Sequence, residues 1–475
     1  MKKFCKDHIG IIIVVVLFLL AHIPLLMYSN GISWDGAVYV GMAKYLFSHG
    51  TIGVWEALRP VGLPIVLGMF WKLGVNPYIA GTACSMVMSV GVLILVYVVA
   101  ERVRKGAGTV AALLLAASAV FLTFSSIPVT DIIASFFALL SLMLVYTATK
   151  NKHYFIAGLV AALAFLFRFP QGLTLVVGGL VIIAKMLEEK GKWPAKLERM
   201  IERGFSFTGG FFTLAVPFLV ANYYVYGNAF LPFIEGTQVI KLYPSLYQKG
   251  LFFYPIELLK QNPLYVLFVL PIALYWKKSY RHLAVTTMTF AILIIGGYFM
   301  YEGHKEARYM LAFLPYIAVL SALGIAYVIE RYKISYIGFY GAFGIVAFMA
   351  AAPFLVQGHK NPDMAALRTF NMQLQHVSSG RMLTTSPALL AYSDVSIQYN
   401  LYSDWNAAFK TYNAYRAESD YVMLNSCNLE QGCADNAQCR DNKENLLAAL
   451  EKQEIKLYEA MTPSQCQLLL YKIRR

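Results

Sequence analysis

Charged residues are scarce in this 475-residue sequence: Asp, Glu, Lys and Arg make up 14% of it, against 58% hydrophobic residues. Ordinary soluble chains carry roughly a quarter charged residues, so this shortage and a mean hydropathy of +0.56 exclude a water-solvated globular core as the main architecture. Acidic residues are scarcest, 26 against 40 basic ones, which leaves a net charge of +14. That excess does not describe a nucleic-acid surface, because Lys and Arg fall in short clusters between apolar runs, as the positive-inside bias places them. A phosphate-binding Gly-Lys-Ser/Thr loop, a dinucleotide Gly-x-Gly-x-x-Gly turn and a zinc-protease His-Glu-x-x-His are all missing. Solenoid-type repeats and low-complexity tracts are missing too.

What fills the sequence is a series of apolar runs, many of them roughly 18 to 22 residues long and able to cross a hydrocarbon core of about 30 Å as helices. The first, 9–27, follows a basic segment and is longer than a signal-peptide core; with no small-residue cleavage site before Tyr28, it reads as a retained span with its N-terminus cytoplasmic. Spans at 78–100, 109–124, 132–148, 154–167, 173–186, 204–224, 264–276, 283–300, 310–329 and 337–356 then bring every strong basic cluster to one side. These clusters are 101–105, 150–152, 188–203, 277–281 and 330–333. The predicted fold is an all-α polytopic membrane domain over 1–356, with about eleven transmembrane helices, and a small C-terminal α/β extracytoplasmic domain over 357–475. The stretch 34–47 reads as an interfacial amphipathic helix, and the apolar piece 61–73 is short enough to dip into the membrane without crossing it.

In the C-terminal domain, strands are expected at 381–385, 421–424, 455–458 and 467–473, and a helix at 445–453. Four of the six cysteines lie there: Cys427, Cys433, Cys439 and Cys466. An even number on an oxidising face points to two disulfides of open connectivity, the alternatives being free thiols or metal ligands.

Charges are costly at membrane depth, so those at span ends on one face are the first candidates for function. The basic side offers only loops. The opposite side gathers Asp35, Arg59, Asp131, Arg168 and the run His304-Lys305-Glu306-Ala307-Arg308-Tyr309. Arg168 reads as a snorkelling or helix-pairing residue and stays outside the principal set.

Asp35 in Ser33-Trp34-Asp35-Gly36-Ala37-Val38-Tyr39, the Arg59-Pro60-Val61-Gly62-Leu63-Pro64 segment, and the turn Ile127-Pro128-Val129-Thr130-Asp131 together resemble the GT-C superfamily of polytopic glycosyltransferases. That superfamily includes protein mannosyltransferases and lipid A aminoarabinose transferases. The run from His304 to Tyr309, followed by Pro315, is similar to the His-Lys-Glu-x-Arg-aromatic motif of mannosyltransferases that use dolichyl-phosphate mannose. The resemblance implies a polyprenyl-phosphate-linked sugar as donor, a glycan, protein or lipid acceptor, and His304, Lys305, Glu306, Arg308 and Tyr309 as substrate-binding residues. No nucleic-acid partner is implied.

The chemistry sets roles for these residues. Transfer from a polyprenyl phosphate needs a carboxylate to take the acceptor's proton and cations to stabilise the departing phosphate. Asp35 is the candidate base, with N-capping of helix 34–47 as its structural alternative. Asp131 orients the acceptor, acts beside Asp35, or caps the span at 132–148. Arg59, Lys305 and Arg308 are the cations expected at the phosphate, since guanidinium groups bind its oxygens bidentately. For Arg59, anchoring to lipid headgroups is the competing reading. His304 would bond the phosphate or sugar, and Glu306 would pair with Arg308 or hold a sugar hydroxyl. The loop 226–262, with Lys241, Tyr243, Tyr247, Lys249 and Tyr254, suits a lid or an interfacial belt. Asp35 and Asp131 are the acids that could share a divalent ion, but no close Asp-x-Asp or Glu-x-Asp pair stands in the outer loops of the membrane domain, so no metal site and no cofactor is assigned; the lipid-phosphate sugar is a substrate. The competing function class is a polytopic transporter or lipid-linked-glycan flippase, which would show inverted repeats and charges near midspan.

Overall fold

The computed structural model describes residues 8–28, 33–242, 248–274, 282–335, 363–374, 377, 380–400, 404–430 and 437–475. The expected span at 337–356 lies outside the described residues, as do Cys5, Cys433, Tyr243 and Tyr247. The chain forms two compact units, each assembled from separated segments. One comprises Met1–Leu26, Ala57–Gly62 and Thr82–Val356; the other comprises Met27–Glu56, Leu63–Gly81 and Gln357–Arg475.

The first unit is helical. Six helices among the described residues are long and apolar enough to cross a membrane: Pro77–Val103, Thr130–Thr147, Phe169–Glu188, Trp193–Tyr226, Leu283–Tyr301 and Leu314–Arg331. Two bent helix pairs stand beside them: one breaks the expected span 109–124, and the other joins a helix in the expected loop 226–262 to the expected span 264–276. The pair Ala107–Ala116 and Ala119–Ser125 bends by 69°, and the pair Phe253–Gln261 and Pro263–Ala273 bends by 114°. Backbone freed at a break needs a partner where water is absent, and the two breaks supply each other: Gln261 Oε1 accepts from Ser118 Oγ at 3.1 Å and from Val120 N at 3.0 Å. Asn262 caps its own break through Leu264 N at 2.9 Å.

The shorter helix Asn151–Phe167 packs closely on Trp193–Tyr226 because glycines face backbone at the crossing. A Cβ on Gly158 would meet Phe207 O at 2.0 Å, and one on Gly210 would meet Phe155 O at 2.0 Å. Small residues let helix backbones approach where lipid removes the hydrophobic drive to associate. Ser141 Oγ adds a bond from Thr130–Thr147 to Ala157 O at 2.8 Å.

The helix ends sort as the charge pattern requires. At one end Arg104 pairs with Glu330, and Glu189 holds Arg199 and Arg203. At the other, Ser135 Oγ reaches Leu311 O at 2.7 Å and Gln171 Nε2 reaches Ala312 O at 3.4 Å, fastening the 3₁₀ turn Ala307–Ala312 to neighbouring helices.

The second unit is α/β, with strands β1 (Arg381–Thr384), β2 (Ser396–Asn400), β3 (Tyr421–Asn425), β4 (Ile455–Met461) and β5 (Gln467–Lys472) in the order β2-β1-β3-β5-β4. β1 is parallel to β2 and β3, whereas β5 is antiparallel to β3 and β4. The four expected strands are present. β2 was not foreseen, because Ser-Ile-Gln-Tyr-Asn is too polar and short to announce a strand. The two-residue pleat serves two cores: Leu469 and Tyr471 pack with Trp405, Tyr412 and Leu446, while Leu468 and Leu470 pack with Phe370, Leu389 and Leu390.

The helix Trp34–Phe47 has the expected bounds but not the expected setting. Gly36 through Lys44 are buried, and a Cβ on Gly41 would meet Leu390 Cδ1 at 2.4 Å. The Lys44 ammonium donates to Leu390 O at 2.7 Å and Ser393 O at 2.9 Å and pairs with Asp394 at 2.8 Å. An interfacial amphipathic helix would leave a polar face to water; this one is packed into the sheet-bearing unit. Its following loop joins the sheet edge, with Gly53 N donating to Val395 O at 2.8 Å and Gly53 O accepting from Ile397 N at 2.9 Å. Cys427 is bonded to Cys466, and Cys439 is also in a disulfide.

Candidate active site

The run from His304 to Tyr309 folds around one carboxylate. After the helix ends at Tyr301, the chain is extended at Glu306 and then tightens into the 3₁₀ turn Ala307–Ala312, which returns Arg308 and Tyr309 toward Glu306. Glu306 Oε1 is 2.9 Å from His304 Nε2 and accepts from Arg308 Nη2 at 3.0 Å and the Tyr309 hydroxyl at 3.1 Å. Its Oε2 lies 2.8 Å from Arg308 Nε. The His304 ring stacks on Tyr309 at 5.6 Å. Burial alone would raise the Glu306 pKa, but the His304 and Arg308 hydrogen bonds and the Arg308 charge outweigh it and hold the carboxyl at about 2. Burial pushes the Tyr309 phenol up, so it stays protonated and donates.

Lys305 turns the other way. Its buried ammonium donates to Glu302 O at 2.6 Å and Lys249 O at 3.3 Å, while Gln248 and His304 form an antiparallel bridge. The loop that carries Lys249 is thereby tied to the His304 segment.

Asp131 lies in the first turn of Thr130–Thr147, 3% exposed, with Oδ1 2.5 Å from Arg168 Nη1. The Arg168 guanidinium lies 4.6 Å from the Tyr309 ring centroid and 5.9 Å from that of Phe299. The structure therefore brings Asp131 to the Glu306 cluster, and Arg168 is the bridge. By sequence Arg168 reads as a snorkelling residue; the signal against that reading is its place at the end of an unusually short span, on the same side as Asp131.

Arg59 is half-buried in the turn before the helix Gly62–Lys72. A Cβ on Gly62 would come within 2.8 Å of Leu166 O, which sets this turn beside the chain leading into Arg168. Asp35 belongs to the other unit, half-buried in the first turn of Trp34–Phe47. Capping there falls to Ser33, whose Oγ accepts from Gly36 N at 3.1 Å. The capping alternative for Asp35 is thus taken by its neighbour. Among the described residues no cluster of three or more His, Cys, Asp or Glu is placed to hold a metal ion.

Residues 59–197 match the family model described as dolichyl-phosphate-mannose-protein mannosyltransferase. No curated protein matches the chain by sequence. Among solved structures, ArnT from Cupriavidus metallidurans bound to undecaprenyl phosphate is similar over 96% of this chain and 97% of its own, with a TM-score of 0.61 and 11% identity. The Archaeoglobus fulgidus oligosaccharyltransferase in its apo form is similar over 90% of this chain and 70% of its own, with a TM-score of 0.57 and 12% identity. Arabinofuranosyltransferase AftD from Mycobacteria is similar over 98% of this chain and 40% of its own, with a TM-score of 0.53 and 14% identity. The chain has the fold of the GT-C polytopic membrane glycosyltransferases, a helical membrane domain followed by a small C-terminal sheet domain. An alternating-access transporter is not favoured.

Proposed function

We propose that this protein is an inverting glycosyltransferase that moves a sugar, mannose in the first instance, from a polyprenyl-phosphate donor to an acceptor hydroxyl on the extracytoplasmic face. The observation that carries the reading is the Glu306 cluster, which gathers His304, Arg308 and Tyr309 on a fold shared with glycosyltransferases. Support for the donor class comes from neighbours: the ArnT structure holds undecaprenyl phosphate, and an archaeal oligosaccharyltransferase structure holds a dolichol-phosphate and an inhibitory peptide. The matched family description supports mannose. The basic loops at the opposite helix ends support a cytoplasmic N-terminus and an extracytoplasmic site.

In this mechanism Asp35 accepts the proton of the acceptor hydroxyl as its oxygen attacks the anomeric carbon. The bond from that carbon to the phosphate oxygen breaks on the opposite face, and the configuration inverts. Arg59, His304 and Arg308 neutralise the departing polyprenyl phosphate, with Glu306 holding His304 and Arg308 in place beforehand, so that little reorganisation is needed at the moment of transfer. Lys305 contributes by closing the Lys249 loop over the same segment. The acceptor is a glycan, a protein or an envelope lipid.

The test incubates membranes with labelled polyprenyl-phosphate mannose and identifies the labelled product. Wild-type protein transfers label; Asp35→Asn and Arg308→Ala, present at wild-type levels and folded, do not. Full transfer by both variants would overturn the site assignment.

A further inference from the structure

We infer that Arg168 is a positioning residue for the donor-binding segment, and that Asp131 serves this site as the counter-ion of Arg168 and not as a group acting on the reacting atoms. The inference rests on the proposed function.

The contacts form one chain of four links. Asp131 Oδ1 sits 2.5 Å from Arg168 Nη1, with side-chain exposures of 4% and 14%, so the pair is largely out of water. The guanidinium then lies 4.6 Å from the Tyr309 centroid, the Tyr309 hydroxyl reaches Glu306 Oε1 at 3.1 Å, and Glu306 holds His304 and Arg308. A cation over an aromatic face contributes about 0.5 to 2 kcal/mol, more as water is removed. A buried guanidinium without a counter-charge is unfavourable, which gives Asp131 its task. The backbone reinforces this placement. Ser135 Oγ bridges Asp131 O at 2.8 Å and Leu311 O at 2.7 Å, so the turn bearing Asp131 and the turn bearing Tyr309 are fixed to each other independently of the ion pair.

The Oδ1 of Asp131 is committed to a buried guanidinium, and its charge is spent on neutralising that cation, which suits a counter-ion better than a base. On this division, Asp35 acts on the acceptor and Asp131 braces the donor segment. A planar cation is required at position 168, because only a guanidinium can pair edge-on with Asp131 while lying over Tyr309.

The experiment measures KM for polyprenyl-phosphate sugar and kcat in the purified full chain. Asp131→Asn keeps an acceptor oxygen for Arg168, and Arg168→Lys keeps the charge without the plane. Each is expected to raise donor KM about tenfold while kcat stays within about threefold, as loss of a ground-state positioning contact requires. Arg168→Met combined with Asp131→Leu removes both charges, so no buried charge is left to unfold the protein; it is expected to show the same KM rise and no larger one. A kcat fall of about a hundredfold in Asp131→Asn at unchanged KM would overturn the inference, since it would place Asp131 on the reacting atoms, and so would wild-type kinetics in all three variants. Absence of any transfer by the wild-type chain would instead overturn the proposed function.

Discussion

Replacing Glu306 by Gln keeps one acceptor oxygen but removes the negative charge on which His304, Arg308 and Tyr309 converge, and the size of the effect follows from its titration. In the folded protein the Glu306 carboxyl sits at about 2, against an ordinary value of 4.5. The folded state therefore binds the carboxylate form more tightly than the unfolded chain does. Its contribution is fully present above pH 4.5 and is lost as the pH falls toward 2. A shift of this size corresponds to about 3 kcal/mol at neutral pH and about half of that at pH 3. The assay compares thermal unfolding of wild type and Glu306→Gln in detergent from pH 7 down to pH 3. Taking the difference between the two proteins cancels every other carboxylate. The expected difference is largest at pH 7 and shrinks steadily below pH 4.5. A difference that is flat across this range would refute the reasoning, because it would show that the glutamate acts by shape and not by charge.

Three further outcomes follow from contacts elsewhere. Lys44→Met leaves Leu390 O and Ser393 O without their donor and should destabilise the sheet-bearing unit by about 2 kcal/mol; an unchanged unfolding midpoint in detergent would contradict it. Gly158→Leu would force a side chain into a space where even a Cβ meets Phe207 O at 2.0 Å, so the monodisperse peak in size-exclusion chromatography should be lost, whereas a normal profile would show that the helix crossing can relax. Replacing Cys427 and Cys466 by Ser opens a loop with a sequence separation of 39 and should cost about 4 kcal/mol on the chain-entropy relation; equal resistance of both proteins to chaotrope would count against it.

The membrane part of the fold was legible because its signal is long and redundant: apolar runs fix the helices, and basic clusters fix which ends belong together. The breaks at Ala117–Ser118 and Asn262 were not, since a run such as 109–124 has the same hydropathy whether straight or bent by 69°. What bends it is Gln261, more than a hundred residues away, accepting from Ser118 and Val120. In the C-terminal unit the apolar strands showed themselves, while β2 did not, because its place depends on pairing with β1 and on the Gly53 bridge. The buried setting of Trp34–Phe47 was hidden for the same reason, since its partners Leu390 and Ser393 come from the far end of the chain.

Within the candidate site, residue types gave the members but not their wiring. A charged run such as His304 to Arg308 says that phosphate chemistry is available. It does not say that Lys305 turns back onto Lys249 and Glu302 carbonyls while Arg308 turns onto Glu306. That sorting comes from the 3₁₀ turn at Ala307–Ala312. Arg168 reads by sequence as a snorkelling residue because a lone arginine at a span end usually reaches for headgroups; only the spatial meeting with Asp131 and Tyr309 shows otherwise.

The central claim is that sugar leaves a polyprenyl phosphate on this protein with Asp35 as base. The most direct measurement follows release of free polyprenyl phosphate from polyprenyl-phosphate mannose by purified protein, with and without acceptor, in wild type and Asp35→Asn. The expected result is acceptor-dependent release by the wild type, with label recovered in an inverted glycosidic product, and loss of release in Asp35→Asn while lipid-phosphate binding persists. Release that proceeds equally in Asp35→Asn, or transfer that requires a nucleotide sugar and ignores the lipid donor, would contradict it.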